Sequence, residues 1–348
     1  MSNRTLVVDC SYLLKRSYEG VKDAYDSRGS HIGAIYGFYN TLRKLIKEHQ
    51  RNKVILIWDG EGGGFERYLI DPAYKANRKN KSWSTKIELT DEQIRLEELK
   101  SQSLLKQRKR IQSYAEELFL RQIECDRVEA DDLIAQYCMD HYQTEDIIIF
   151  TNDRDFLQLL DLNITIIFGN IDHPINKSNF FFQFGYHFSN ALLMKIISGD
   201  VSDNIKGIDG IKEPTLLKHF PELQFKHFMV RDICIKSDEL NKERIKLKKK
   251  PLKALETLIN NVARLKTNYL LMNLREPFLT EEAIDELGQL ELPLLEDGRS
   301  SKNLFKLMQE DDFLLVNNNS FVNYVEPFYT VIMHEKDLLK EYNKKQIN

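Results

Sequence analysis

The chain has 348 residues, 42% of them hydrophobic, with 50 Lys and Arg against 53 Asp and Glu and a formal net charge of −3. That length and apolar content suffice to bury one large or two ordinary domains and exclude a mainly disordered chain. Four cysteines, Cys10, Cys125, Cys138 and Cys234, lie far apart without a CxxC pair, which argues against zinc sites and a disulfide framework and for a reducing, cytoplasmic compartment. No run approaches 18 uncharged apolar residues and the start lacks a leader pattern, so neither a membrane span nor export is expected.

In chain order, TLVVD (Thr5–Asp9) is strand-like, GAIYGFYNTLRKLIKEH is helical, and KVILIWD (Lys53–Asp59) is strand-like again. An insertion of about 85 residues follows, with no Pro or Gly between Thr90 and Leu120. Its length exceeds a simple crossover, so part of it should project as a helical excursion. DDLIAQYCMDHYQ is helical, Asp146–Phe150 is a strand, and Asn163–Gly169 is a weaker strand candidate. This alternation predicts an α/β fold with a mostly parallel central sheet flanked by helices.

After Phe184 the pattern turns helical around a turn-rich centre, SGDVSDNIKGIDGIKEPTLLKHF, where Gly207 and Gly210 punctuate two turns and Pro214 suits the first position of the next helix. The expected divisions are 1–184, a helical region 185–291, and a segment 292–348 with no assigned role.

The small net charge hides an asymmetry. Lys75 to Arg110 holds eleven basic residues against five acidic ones, and Lys236 to Lys253 holds eight against three. Two basic segments beside an acidic centre suit a phosphate polymer near metal ions, although each run alone also reads as a solvated helix.

Nine carboxylates form that centre: Asp9, Asp59, Glu129, Asp131, Asp132, Asp153, Asp155, Asp200 and Asp203. Three β-type runs deliver an acid at their C-terminal ends, the edge where open α/β sheets bind ligands. In VEADD, positions 129 and 132 lie about 60° apart on a helix and 129 and 131 about 160° apart, so the three converge only if the helix starts near Ala130. Capping and dipole effects explain such acids equally well in isolation, as they do for Asp153 and Asp155 in TNDRD. Asp200 and Asp203, three apart, are expected as helix neighbours whose repulsion needs compensation. If the acids meet, they need cations, and hard oxygen donors favour Mg²⁺ or Mn²⁺. The chain has no HExxH, no GxxxxGK[ST] and no GxSxG, which leaves metal-assisted hydrolysis as the chemistry with positive support.

VVDCSYLLKRS, IWDG…FERYLIDPAYKANR, VEADDLIA, TNDRDFLQL and SGDVSDNIKGIDGI, in this order, resemble the 5′-nuclease or flap-endonuclease superfamily over about Leu6 to Phe220. Within it the chain is most similar to stand-alone bacteriophage 5′-nucleases, including the ribonuclease H type that removes RNA primers, and at its length no attached polymerase is expected. The resemblance implies a PIN-like catalytic domain over 1–184, a helical arch at about 80–120, and a helix-three-turn-helix at about 199–220.

It also implies roles. Asp9, Asp59, Glu129, Asp131 and Asp153 would gather around one Mg²⁺, with Asp155, Asp200 and Asp203 toward a second and Asp132 nearby. Such ions sit about 3.5–4 Å apart and would give 5′-phosphate products. Lys75 and Arg78 would stabilise charge at the scissile phosphate. Arg16, Arg67, Tyr74, Lys206, Gly207, Gly210 and Lys212 are the further candidates for nucleic-acid contact, Tyr74 by stacking or else as simple packing. Lys212 stands where the hairpin pattern carries a glycine, which puts a K⁺ site in doubt.

The expected substrate is DNA with a 5′ end, nick or flap, or RNA annealed to DNA. The expected state is a monomer that works beside replication proteins. The rivals are a non-catalytic branched-DNA-binding protein and a PIN-type ribonuclease.

Overall fold

The computed structural model describes residues 3–79, 90–294, 298–314 and 320–347. Five parallel strands form the centre: β1 (Asn3–Asp9), β2 (Lys53–Asp59), β3 (Arg121–Cys125), β4 (Glu145–Thr151) and β5 (Thr165–Phe168), in the order β3-β2-β1-β4-β5. The α/β class is as the sequence predicts. Strand β3 was not foreseen, because RQIEC is a short edge strand that alternates charged and apolar residues inside the long insertion.

Both faces of the sheet are covered, which is why β1, β2 and β4 read as unbroken apolar runs. Val7, Ile55, Ile57, Ile147 and Ile149 point into one core with helix α6 (Ala130–His141) and the helical region beyond residue 185. Their alternates Leu6, Val8, Leu56, Trp58, Ile148 and Phe150 point into a second core with α1 (Cys10–Gly20) and α2 (Gly33–Glu48).

The second core also takes in Leu304, Met308, Phe313, Tyr324, Phe328 and Val331. The segment that carried no role in the sequence therefore closes one face of the sheet. Glu335 meets Arg121 of β3 there, both side chains 1% exposed.

Helix α5 (Asp91–Glu117) opens on a Thr90–Gln93 capping box and spans about 40 Å. Its later turns bury Gln107, Ile111, Tyr114 and Ala115, whereas Ile94, Leu96 and Leu99 are exposed, so its first half projects from the body. The remainder of the expected arch, residues 80–89, lies outside the described residues. Among the described residues no helix is long and apolar enough to cross a membrane.

Candidate active site

Thr151 and the ends of β1 and β2 organise the first group of acids. Asp9 caps α1, accepting from Tyr12 N at 3.0 Å, and its other oxygen accepts from the Thr151 hydroxyl at 3.0 Å. Thr151 Oγ1 also receives Asp153 N, so one hydroxyl ties the end of β1 to the turn after β4. Asp59 accepts from Ala130 N at 2.9 Å and so caps α6, which starts at Ala130 with Glu129 as its N-cap residue. That start turns Asp131 toward Asp9 and Asp153 and leaves Asp132 on the opposite side. Burial, then the charges of Asp59 and Asp153, push the Asp9 carboxyl up to about 6 against its hydrogen bonds. Burial and the charges of Asp153, Asp9 and Glu129 push Asp131 well above the carboxylate range, with Lys75 opposing.

Asp155 begins the second group. Its amide donates to Asp153 Oδ1 at 2.8 Å in the turn of 3₁₀ helix Arg154–Leu162. Lys195, on α8 (Ala191–Ser198), lies against both Asp155 Oδ1 and Asp200 Oδ2. Burial and Asp153 push Asp155 up to about 7 despite that lysine. At Asp200 burial opposes ionisation, but Lys195 and Ser202 outweigh it and hold the carboxyl at about 2.

The expectation that Asp200 and Asp203 share a helix is corrected. They sit on an antiparallel hairpin of Gly199–Asp200 with Ile205–Lys206, and Gly199, at φ +71°, caps α8 and leads the chain into it. A Cβ there would stand 2.2 Å from Gly207 N, so the two backbones close only through glycine. The hairpin docks on the preceding turn: Lys75 N donates to Asp203 O at 2.8 Å and Asn204 Nδ2 to Ala73 O at 2.7 Å. Asp203 thereby faces Tyr74 and Lys75 rather than Asp200, which removes the expected repulsion.

Lys75 is tied to the site from both ends. Its backbone is left-handed at φ +52° and its ammonium contacts Glu129 Oε1, with Asp203 Oδ2 4.0 Å away. Burial opposes its charge, but Glu129, Asp203 and Asp131 outweigh that and raise its pKa. Arg78 falls in the short helix Ala76–Lys79, and its side chain lies outside the described residues.

Three further placements differ from expectation. Arg67 is 3% exposed; it donates to Leu271 O, Glu129 and Asp132, and so it is an internal clamp instead of a nucleic-acid contact. Asp132, 1% exposed, is held by Arg67 and by Phe278 N, sharing the guanidinium with Glu129, the acid whose charge acts on it. Tyr74 is 7% exposed and its hydroxyl donates to Glu129 Oε2 at 2.9 Å, so the packing alternative holds over stacking. Arg16 is exposed and donates to Gly169 O. Lys206 is exposed on the hairpin and Gly210 in the turn that follows it. Lys212 donates to Ser198 O at 2.8 Å and precedes α9 (Glu213–His219), with Pro214 at that helix's second position.

The sequence reading missed Lys195 and Thr151. The signal for Lys195 was present: it is the one charged residue in ALLMKIIS, an otherwise apolar helix ending just before Asp200.

The donor set fits hard divalent cations. The nine carboxylates are met, among the described side chains, by Arg67, Lys75 and Lys195. Asp155 Oδ1 is buried and meets the Lys195 ammonium, so this carboxylate oxygen already faces a cation. A second acidic group, His141, Glu145 and Glu291, lies at the other edge of the sheet, but the Lys53 ammonium already fills it, 2.9 Å from Glu145 and 3.0 Å from Glu291.

A parallel α/β sheet with this acid-lined edge and a helical insertion beside it defines a 5′-nuclease. The family described as 5′-3′ exonuclease, N-terminal resolvase-like domain, matches residues 4–185. A 5′-3′ exonuclease of Mycoplasmopsis pulmonis is 30% identical over 227 residues, 64% of this chain and 69% of that protein. Thermostable DNA polymerase I of Thermus thermophilus is 27% identical over 70% of this chain, which spans only 27% of the polymerase.

Among solved structures, T5 5′-exonuclease with bound zinc superposes with a TM-score of 0.61 at 19% identity, covering 89% of this chain and 99% of that one. The bacteriophage T5 flap endonuclease in a complex with DNA and metal ions gives 0.61 at 20% identity, covering 91% of this chain and 100% of that one; both likenesses concern the fold. The chain belongs to the 5′-3′ exonuclease family, and its activity is that of a 5′-3′ exonuclease.

Proposed function

We propose that this chain hydrolyses phosphodiesters near the 5′ ends, nicks and flaps of DNA, and of RNA annealed to DNA, with two Mg²⁺ ions that Mn²⁺ can replace. The observation that carries this reading is the meeting of acids from three strand ends, a helix start and a hairpin at one sheet edge, where burial and then mutual charge push Asp9 up to about 6 and Asp155 up to about 7. Asp9, Asp59, Glu129, Asp131 and Asp153 would hold one ion, and Asp155 and Asp200 the second, with Asp203 placed toward Tyr74 and Lys75. Bound there, the ions would supply an activated water and charge neutralisation at phosphorus.

The chain's own residues do the rest. Lys75 places a positive charge beside Glu129 and Asp203, where negative charge on a phosphate oxygen would grow. The turn after helix α10 (Val230–Lys246), with Lys246, Lys248, Lys249 and Lys250 all exposed, supplies positive charge for the duplex backbone. It continues the basic end of α9, because Lys218 and Arg244 both act on His219.

The test is a gel comparing 5′-labelled flap, nicked-duplex and RNA-primed substrates. Cleavage should require Mg²⁺, stop with EDTA, and fall by at least about 10³-fold in the Asp153→Asn, Asp155→Asn double variant. A double variant that cleaves the flap at the wild-type rate removes this site assignment.

A further inference from the structure

We propose that Lys195 is a tethered cation occupying the seat of the second divalent ion, and that it sets that ion's affinity. This inference rests on the two-ion reading above. The ammonium lies against Asp155 Oδ1 and Asp200 Oδ2, two of the oxygens assigned to the second ion. A divalent ion and an ammonium need the same lone pairs, so one must leave before the other binds fully.

The backbone beneath the lysine is fixed. Met194, Ile196 and Ile197 are buried on either side of it, and Asn268 Nδ2 donates to Ile196 O at 2.8 Å. Asp200 follows the end of the same helix and is itself fixed by Ser202, whose amide and hydroxyl donate to its Oδ1 at 2.7 and 2.6 Å. What can move is the four-carbon stem, whose side chain is 23% exposed and so has a route toward solvent or a bound phosphate.

The two seats differ in this respect. Among the described residues no ammonium contacts Asp9, Asp59, Asp131 or Asp153 directly; Lys75 contacts Glu129 at the rim. The first ion therefore meets four carboxylates that no ammonium contacts and a fifth, Glu129, already held by Lys75 and Arg67, whereas both Asp155 and Asp200 of the second seat meet one lysine. Binding should be stepwise, and loading of the second seat should release a lysine positioned beside the incoming phosphate. Lys195 is thus a positioning residue whose effect appears in metal binding before any substrate is present.

The experiment titrates Mn²⁺ into the full, metal-free chain without DNA, by calorimetry and by the electron paramagnetic resonance signal of free Mn²⁺. Wild type should bind one ion tightly and a second weakly. In Lys195→Met the second step should tighten at least tenfold while the first changes less than threefold, and Lys195→Arg should bind like wild type. Lys195→Gln serves if Lys195→Met does not fold by circular dichroism. A second step that is unchanged or weaker in the neutral variants overturns the inference, including the case where they lose only DNA affinity. If wild type binds no Mn²⁺, or Asp155→Asn does not weaken binding, the two-ion reading itself falls.

Discussion

Arg67 grips Asp132 with both arms of its guanidinium, Nη2 donating to Oδ1 at 2.8 Å and Nη1 to Oδ2, across 65 residues of sequence. The same Nη1 reaches Glu129 Oε2 at 2.8 Å. One buried cation thus divides the VEADD cluster, holding Asp132 back while Asp131 faces the other acids. Arg67→Met leaves two buried carboxylates short of a partner and should lower stability by about 3–5 kcal/mol in urea unfolding with EDTA. Asp132→Asn should leave Mn²⁺ affinity within about threefold, whereas Asp131→Asn weakens it at least about tenfold, near 1.4 kcal/mol. Equal losses in the two variants would return Asp132 to the metal ligands.

Stability without metal should fall as pH rises. Asp9 at about 6, Asp155 at about 7 and Asp131 well above the ordinary range all bind protons more tightly folded than unfolded, where carboxyls titrate near 3.9. The folded state therefore holds the extra protons between about pH 4 and 7, and the metal-free chain loses stability across that window. Asp200, held at about 2, stays ionised throughout and takes no part. Saturating Mg²⁺ should reverse the slope, because binding expels those protons. Melting temperatures at pH 5, 6 and 7.5, in EDTA and in Mg²⁺, check both signs; a rise with pH in EDTA would contradict the acid cluster.

The basic turn should act on duplex affinity through salt. Lys248 is left-handed at φ +55°, and the turn is pinned by Asn241, which accepts from Leu252 N at 2.8 Å, so its lysines sit on a fixed surface. Changing Lys246, Lys248, Lys249 and Lys250 to Ala should reduce the slope of log K against log salt by about 3–4, at about 0.9 per phosphate contact. Turnover at saturating DNA should stay unchanged. Fluorescence anisotropy with a flap duplex at several KCl concentrations measures this, and an unchanged slope would remove the turn from the interface.

Glu335 should matter for folding alone. Its carboxylate pairs with Arg121 Nη2 and Nε, the latter at 2.8 Å, beneath the C-terminal helix. Glu335→Ala leaves a buried guanidinium partnered only by the Leu290 and Leu292 carbonyls, and should cost about 3 kcal/mol in denaturant unfolding. Turnover per folded molecule should be unaltered.

The sequence by itself determined the alternation of strands and helices, the strand-end positions of Asp9 and Asp59, and the α6 start beside Glu129. Each of these is written within about ten residues, in apolar periodicity or capping chemistry. It also carried the family motifs. Only the tertiary structure decided which charges meet. Arg67 with Asp132, Lys75 with Glu129 and Arg121 with Glu335 pair across 54 to 214 residues, and such pairing depends on packing that no local pattern encodes. For the same reason the GDVSD pair could be read as a helix until the docked hairpin turned Asp203 toward Tyr74. The C-terminal segment had no signal of its own because its apolar residues gain meaning only against the second face of the sheet. Lys195 lies between these cases: its lone charge in an apolar helix was visible, and its partners were not.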